Sequence, residues 1–169
     1  MIIIRREEPG DIPAIHAVVE AAFGRPVEAG LVDLVRRNSH TILSLVALVD
    51  GRLAGHILFS PLEIEAAAGP VGGTILAPLA VLPEFQRQGI GTALMEAGLD
   101  GCRALGLGCV ILLGHPTYYP RFGFVPASRF GLRYDFEGPD EAFMALELTP
   151  GYLANCAGLV RFSPEWDGV

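Results

Sequence analysis

Apolar and polar positions change their spacing several times along the chain, and each change marks an element. Ile2 to Arg6 reads as a short strand. Pro9-Gly10-Asp11-Ile12-Pro13 then opens a helix, with Asp11 as cap and Pro13 in the first turn. Ile12, Ile15, Val19 and Ala22 recur at helical spacing and mark its inner stripe. A second helix follows Arg25-Pro26, with Leu31, Leu34 and Val35 inward. Ile42 to Val49 is a continuous apolar run that ends in Asp50-Gly51, a strong hairpin signal. The return strand starts near Leu53 and finishes in strict alternation, Leu62 and Ile64 against Glu63 and Glu65. Gly69-Pro70 predicts a turn, and a strand over Gly73 to Leu82 follows.

That strand contains Pro78, which has no N–H for a ladder and marks an edge or a bulge. A third helix runs to about Leu105. Thr92, Glu96, Asp100 and Arg103 form its one polar stripe, so most of its circumference is expected to be covered. Cys109 to Leu113 has the unbroken apolar character of a covered central strand. A helical turn over Tyr118–Phe122, strands at Phe124-Val125 and at Ala142 to Leu148, and a tail from Pro150 complete the chain. In the tail, Gly158-Leu159-Val160 suggests an extra strand, and Trp166 an anchor for the C-terminus or a homodimer contact. The whole reads as one α+β domain over residues 1–169, with an open mixed sheet and residues 150–169 as an extension.

Composition narrows the chemistry. The 169 residues suit one domain, and 51% hydrophobic against 18% charged residues excludes disorder. The net charge of −7 argues against a nucleic-acid partner, which needs a basic face. All 12 basic residues are Arg. Without Lys there is neither a phosphate-binding loop of the lysine type nor a pyridoxal Schiff base. Cys102, Cys109 and Cys156 are odd in number and lack a C-x-x-C pair, which argues against zinc or a disulfide scaffold and suits a reducing cytoplasm. Cys102 and Cys109 read as core residues rather than nucleophiles. The four His are scattered, so no metal is expected, and no apolar run is long enough to predict a membrane span or a signal peptide.

The informative unit is the strand, turn and helix from Thr74 to Leu105. A helix N-terminus offers unpaired N–H groups and about half a positive charge, and glycines let a ligand approach the backbone. Gly89 and Gly91 at such a start point to a bound phosphate or pyrophosphate. The dinucleotide fingerprint fails, because Leu94 occupies the place of its third Gly. Alone, Gly-x-Gly describes a tight strand–helix turn equally well.

The wider stretch from Pro78 to Leu94 resembles the acetyl-CoA-binding segment of the GNAT superfamily of N-acyltransferases. Gln86-x-x-Gly89-x-Gly91 matches that family's pyrophosphate motif, and Tyr118-Tyr119-Pro120-Arg121-Phe122-Gly123-Phe124 resembles its second marker. Leu146 to Gly151 and the doubled Tyr are similar to a bacterial subfamily of small predicted N-acetyltransferases. The resemblance implies a GNAT-like open mixed central sheet with helices on both faces, its bulged strand near Pro78 splayed from the next parallel strand. It implies that backbone groups of Leu79, Ala80 and Val81 pair with the pantetheine arm of acetyl-CoA (coenzyme A), with the Val81 N–H facing the thioester oxygen. It implies that the amides from Arg87 through Gln88, Gly89, Ile90 and Gly91 to Thr92 hold the pyrophosphate, with the Gln86 and Arg87 side chains as further contacts.

On this expectation a small-molecule or peptide amine attacks the acetyl carbonyl directly. Tyr119 is the general acid for the departing thiolate, ahead of Tyr118, since a phenol stays protonated at neutral pH. The base is less legible, because no carboxylate lies between Thr74 and Leu82. His115 is the best placed, with His56 and Glu63 behind it. Two alternatives stay open: an acyl-CoA-binding sensor with little turnover, and an interaction protein with no ligand.

Overall fold

The computed structural model describes residues 1–167. Nine strands are present among them: β1 (Ile2–Arg6), β2 (Leu43–Val49), β3 (Arg52–Ala66), β4 (Gly69–Val81), β5 (Cys109–Leu113), β6 (Val125–Pro126), β7 (Leu132–Arg133), β8 (Phe143–Glu147) and β9 (Gly158–Phe162). The helices are α1 (Ile12–Phe23), α2 (Val27–Arg37) and α3 (Ile90–Ala104). The strands hydrogen-bond in the order β1-β2-β3-β4-β5-β8-β6, while β9 pairs with β3 and β7. Antiparallel pairs combine with parallel ones at β4/β5 and β7/β9, so the expected α+β class with a mixed sheet is the observed one. Two compact units divide the chain, and β3, β4 and α3 each contribute a segment to both.

Among the described residues, the first unit comprises 1–60, 77–101 and 165–167. Asp50 and Gly51, both at positive φ (49° and 83°), make the tight turn joining β2 to β3. Alternation along β3 then sends successive residues to opposite faces. Leu58 joins Ile15, Val19, Val32 and Val35 in the core under α1 and α2. Ile57 and Phe59 point the other way, against Gly98 of α3. Gly98 fits because a Cβ there would come within 2.7 Å of the Phe59 ring, so helix and strand approach closely. Within this unit helices therefore cover both faces of the sheet.

The second unit comprises residues 61–76 and 102–164. Its centre is β5, buried from Cys109 to Leu112 and paired antiparallel with β8 from Cys109↔Glu147 to Leu113↔Phe143. The parallel pairing of β4 with β5 places Ile75 opposite Ile111. The Tyr152 ring lies over Gly108, and its hydroxyl donates to the Gly72 carbonyl at 2.6 Å. A Cβ on Gly108 would fall 2.1 Å from that ring.

Three details depart from the sequence reading. Asp11 does not cap α1; its carboxylate accepts from Arg5 at 2.7 and 3.1 Å and from the Glu8 N–H at 2.7 Å. Val32 rather than Leu34 fills the inner face of α2. The turn expected at Gly69-Pro70 lies at Ala67-Ala68, so β4 starts four residues earlier than the predicted Gly73. Of the two readings of Pro78, edge or bulge, the edge is excluded, since β3 and β5 flank β4; the Ala77–Pro78 peptide is cis. In the tail, the extra strand expected at Gly158-Leu159-Val160 is present as β9 over Gly158–Phe162, and Trp166 packs on the first unit's core.

Candidate active site

In the first unit β4 alternates up to its end. Ala80 and Leu82 are buried, whereas Leu79 and Val81 are half-buried on the opposite face. Leu82 closes the strand by donating its N–H to the Ala54 carbonyl at 2.8 Å. A single 3₁₀ turn, Pro83–Phe85, follows. Phe85 packs against the core, with the Arg52 guanidinium 5.3 Å above its ring and Arg52 reaching Glu84 at 3.3 Å. The turn is thus seated before the glycine segment begins.

Two side-chain amides tie that segment back. Gln86 donates to the Val81 carbonyl at 3.0 Å, and Gln88 to the Glu84 carbonyl at 3.2 Å. Arg87 (φ 62°) and Gly89 (φ 85°) both adopt the left-handed conformation, which bends the backbone sharply just before α3. Nothing lies within 4 Å of where a Gly89 Cβ would stand. The first helical bond of α3 runs from the Ala93 N–H to the Gly89 carbonyl, leaving the amides of Ile90, Gly91 and Thr92 in the orphan positions of a helix start. Ile90 anchors that start: it is 1% exposed and meets Gly55 of β3 together with Leu94. The chemistry available here is anion binding by main-chain donors.

In the second unit, β5 ends at Leu113 and the chain runs through Gly114, His115 and Pro116 to the 3₁₀ turn Tyr119–Phe122. Gly123 ends the turn at φ 97°. The Tyr119 ring meets Tyr118 edge-on at 5.1 Å and Phe124 at 6.0 Å. It also passes so close to Gly114 that a Cβ there would stand 2.4 Å from Cε2. Burial pushes its phenol up to about 12, so Tyr119 stays protonated throughout the neutral range. Tyr118 differs, with the Arg121 guanidinium 4.5 Å over its ring and its carbonyl accepting from Arg121 Nε at 2.9 Å. His115 is exposed, and its carbonyl accepts from the Tyr118 N–H at 3.2 Å.

The other base candidates lie elsewhere. Glu63 is exposed on β3 in the second unit. His56 is completely buried in the first unit, where Nε2 stands 2.8 Å from Ser44 Oγ. Ser44 in turn donates to Glu7, which accepts from Arg36 at 2.8 and 3.1 Å. His56 is therefore part of a core network. Sequence reasoning missed that network, because its members sit on β1's exit, α2, β2 and β3 and share no local spacing. Cys102 and Cys109 are buried, and burial pushes their thiols up to about 12 and about 11, as suits core residues rather than nucleophiles. Among the described residues no group of His, Cys, Asp or Glu could hold a metal ion, and no helix is long and apolar enough to cross a membrane.

The chain is similar to known proteins in sequence and in fold. The model of the acetyltransferase (GNAT) family matches residues 12–124. The N-acetyltransferase YhbS of Escherichia coli is 35% identical over 98% of this chain and 99% of its own. Its crystal structure in complex with CoA superimposes with a TM-score of 0.90 at 33% identity, covering 97% of this chain and 91% of that one. A GNAT family acetyltransferase from Brucella melitensis, crystallised with acetyl-CoA, gives a TM-score of 0.82 at 34% identity over 99% of both chains. On a family match over most of the chain and full-length relatives above 30% identity, this chain belongs to the GNAT family of acetyltransferases.

Proposed function

We propose that the chain transfers an acetyl group from acetyl-CoA to a primary amine on a small molecule or peptide. The observation that carries this reading is the bend at Arg87 and Gly89 before α3, with open space over Gly89 and free amides at the helix start. A diphosphate suits that place in charge and in steric demand. Leu79, Ala80 and Val81 supply main-chain partners for the pantetheine arm, and the Val81 N–H serves the thioester oxygen as charge develops. The Gln86 carboxamide holds the Val81 carbonyl through one N–H, and with the Arg87 side chain it offers further contacts to the cofactor.

The reaction needs no covalent enzyme intermediate. The amine nitrogen bonds to the acetyl carbon, the carbon–sulfur bond breaks, and the electron pair leaves with sulfur. Tyr119 gives its proton to the thiolate, and the proton lost by the amine passes to His115 or to solvent. An alkylammonium with a pKa of about 10.4 is almost wholly protonated at pH 7, which makes that last transfer necessary. Residues 1–169 form one acyltransferase domain on this reading, and three buried free thiols suit a reducing cytoplasm.

Calorimetry with acetyl-CoA, joined to thiol release with a panel of amines, tests the proposal. Binding in the micromolar range with amine-dependent thiol release is the expected result. Binding without release for every amine would favour the sensor reading, and absence of binding would remove the proposal.

A further inference from the structure

The second unit carries a cavity of about 440 Å³, within the range of about 300–1,000 Å³ usual for ligand sites. Its floor is apolar: Phe124 and Met144 are each 2% exposed and lie among Pro116, Pro120 and Pro126. Two opposite charges, Arg129 and Glu141, line the same space. They stand on the 3₁₀ turns Ala127–Phe130 and Asp140–Ala142. One residue back on each turn, the Ser128 hydroxyl donates to the Asp140 carboxylate at 2.7 Å and ties the two turns together. Among the described residues, neither Arg129 nor Glu141 forms a side-chain hydrogen bond or ion pair.

This combination selects its ligand. Both charges are exposed at the rim, so a purely apolar molecule would cover the floor and leave them unused. A simple anion would meet Arg129 but also Glu141, and a simple cation the reverse. A zwitterion with an apolar body satisfies all three features, and a guanidinium fork suits a carboxylate well. We propose that this cavity binds a short zwitterionic peptide with apolar side chains, its carboxylate on Arg129 and its ammonium on Glu141. The cavity floor also borders the Tyr119 environment, since Phe124 packs on that ring and Pro120 follows it in the chain. Resting on the transfer proposed above, the peptide is the acceptor: its ammonium gives one proton to His115 or solvent, and the free amine then attacks the acetyl carbon as the carbon–sulfur bond breaks.

The test uses leucyl-phenylalanine as probe, with its N-acetylated and C-amidated forms as controls, first by calorimetry on the chain without acetyl-CoA. The free dipeptide is expected to bind, and each cap to weaken binding at least tenfold. Arg129→Gln should remove the discrimination against the amide alone, and Glu141→Gln that against the acetylated form alone. A merely structural role would not separate the two. Equal binding of all three probes, or no binding at 10 mM, would overturn the site. Acetyl-CoA is then added and thiol followed. Release with the dipeptide, and a KM raised at least tenfold in Arg129→Gln at unchanged kcat, supports the acceptor role. Dipeptide binding with no release from any amine overturns the transferase reading and leaves the site. Release from other amines without dipeptide binding does the opposite.

Discussion

The Gln86 side chain donates to the Val81 carbonyl at 3.0 Å, so the last residue of β4 and the first turn of the glycine segment form one tied loop. The tie spans five residues and holds the carbonyl of a peptide whose N–H, that of Leu82, is held by the Ala54 carbonyl at 2.8 Å. Gln86→Ala removes about 1 kcal/mol of net hydrogen bonding, or roughly a fivefold effect. The expected outcome is a several-fold weaker acetyl-CoA affinity by calorimetry, with a melting temperature lower by about 2–4 °C. An unchanged affinity would detach Gln86 from the cofactor.

Tyr119→Phe keeps the ring contacts with Tyr118 and Phe124 and removes only the hydroxyl. As a general acid Tyr119 is worth about 10²-fold or more, so kcat should fall by that order while acetyl-CoA still binds. Burial holds the phenol near 12, so its ionisation should cause no loss of rate below pH 10. A wild-type rate that declines between pH 8 and 9, with the decline absent in the variant, would contradict that environment.

His56 predicts the acid limb of stability. Burial pushes its imidazole down to about 4, so the folded chain refuses a proton that the unfolded chain takes up below about pH 6.5. Acid therefore favours unfolding across that interval, by up to about 3 kcal/mol near pH 4. Burial raises the Glu7 carboxyl, but hydrogen bonds from Arg36 and Ser44 outweigh it and hold it below its ordinary value. Glu7 adds to the loss below about pH 4.5, in the same direction. Denaturant titrations should show a steep slope between pH 6.5 and 4 in the wild type and a shallow one in His56→Gln. Parallel curves would exclude His56 as the cause.

Gly158→Ala tests the seating of β9. A Cβ there would come within 2.0 Å of the Glu65 carbonyl oxygen, a backbone atom with no side chain to swing aside. Overpacking of this kind costs about 1–3 kcal/mol, and thermal melting should show a loss at the upper end of that range. A variant as stable as the wild type would mean that β9 separates from β3 easily.

The elements with the clearest periodicity were the most legible. The Asp50-Gly51 hairpin, the polar stripe of α3 and the buried run of β5 all lie where the pattern put them. The start of β4 was misread because glycine and proline signal turns, yet here Gly69 and Pro70 follow a turn made by two alanines. Asp11 was misread because cap chemistry competes with a guanidinium that only the folded chain brings near. At the candidate site, the glycine bend and Tyr119 were visible as motifs. Gln86's attachment to Val81 was not, since a carboxamide reads the same whether it meets a ligand or the backbone. The Arg129 and Glu141 cavity left no trace, because its residues come from loops whose spacing follows no period.

Trp166 has one more consequence. It is the single tryptophan of the chain, and it rests against the hydrophobic cluster under α1 and α2 at the end of the described residues. Its emission is therefore a private gauge of how the last turn is docked, uncontaminated by any second indole. With excitation at wavelengths beyond the absorption of the four tyrosines, loosening of that turn would register as a red shift.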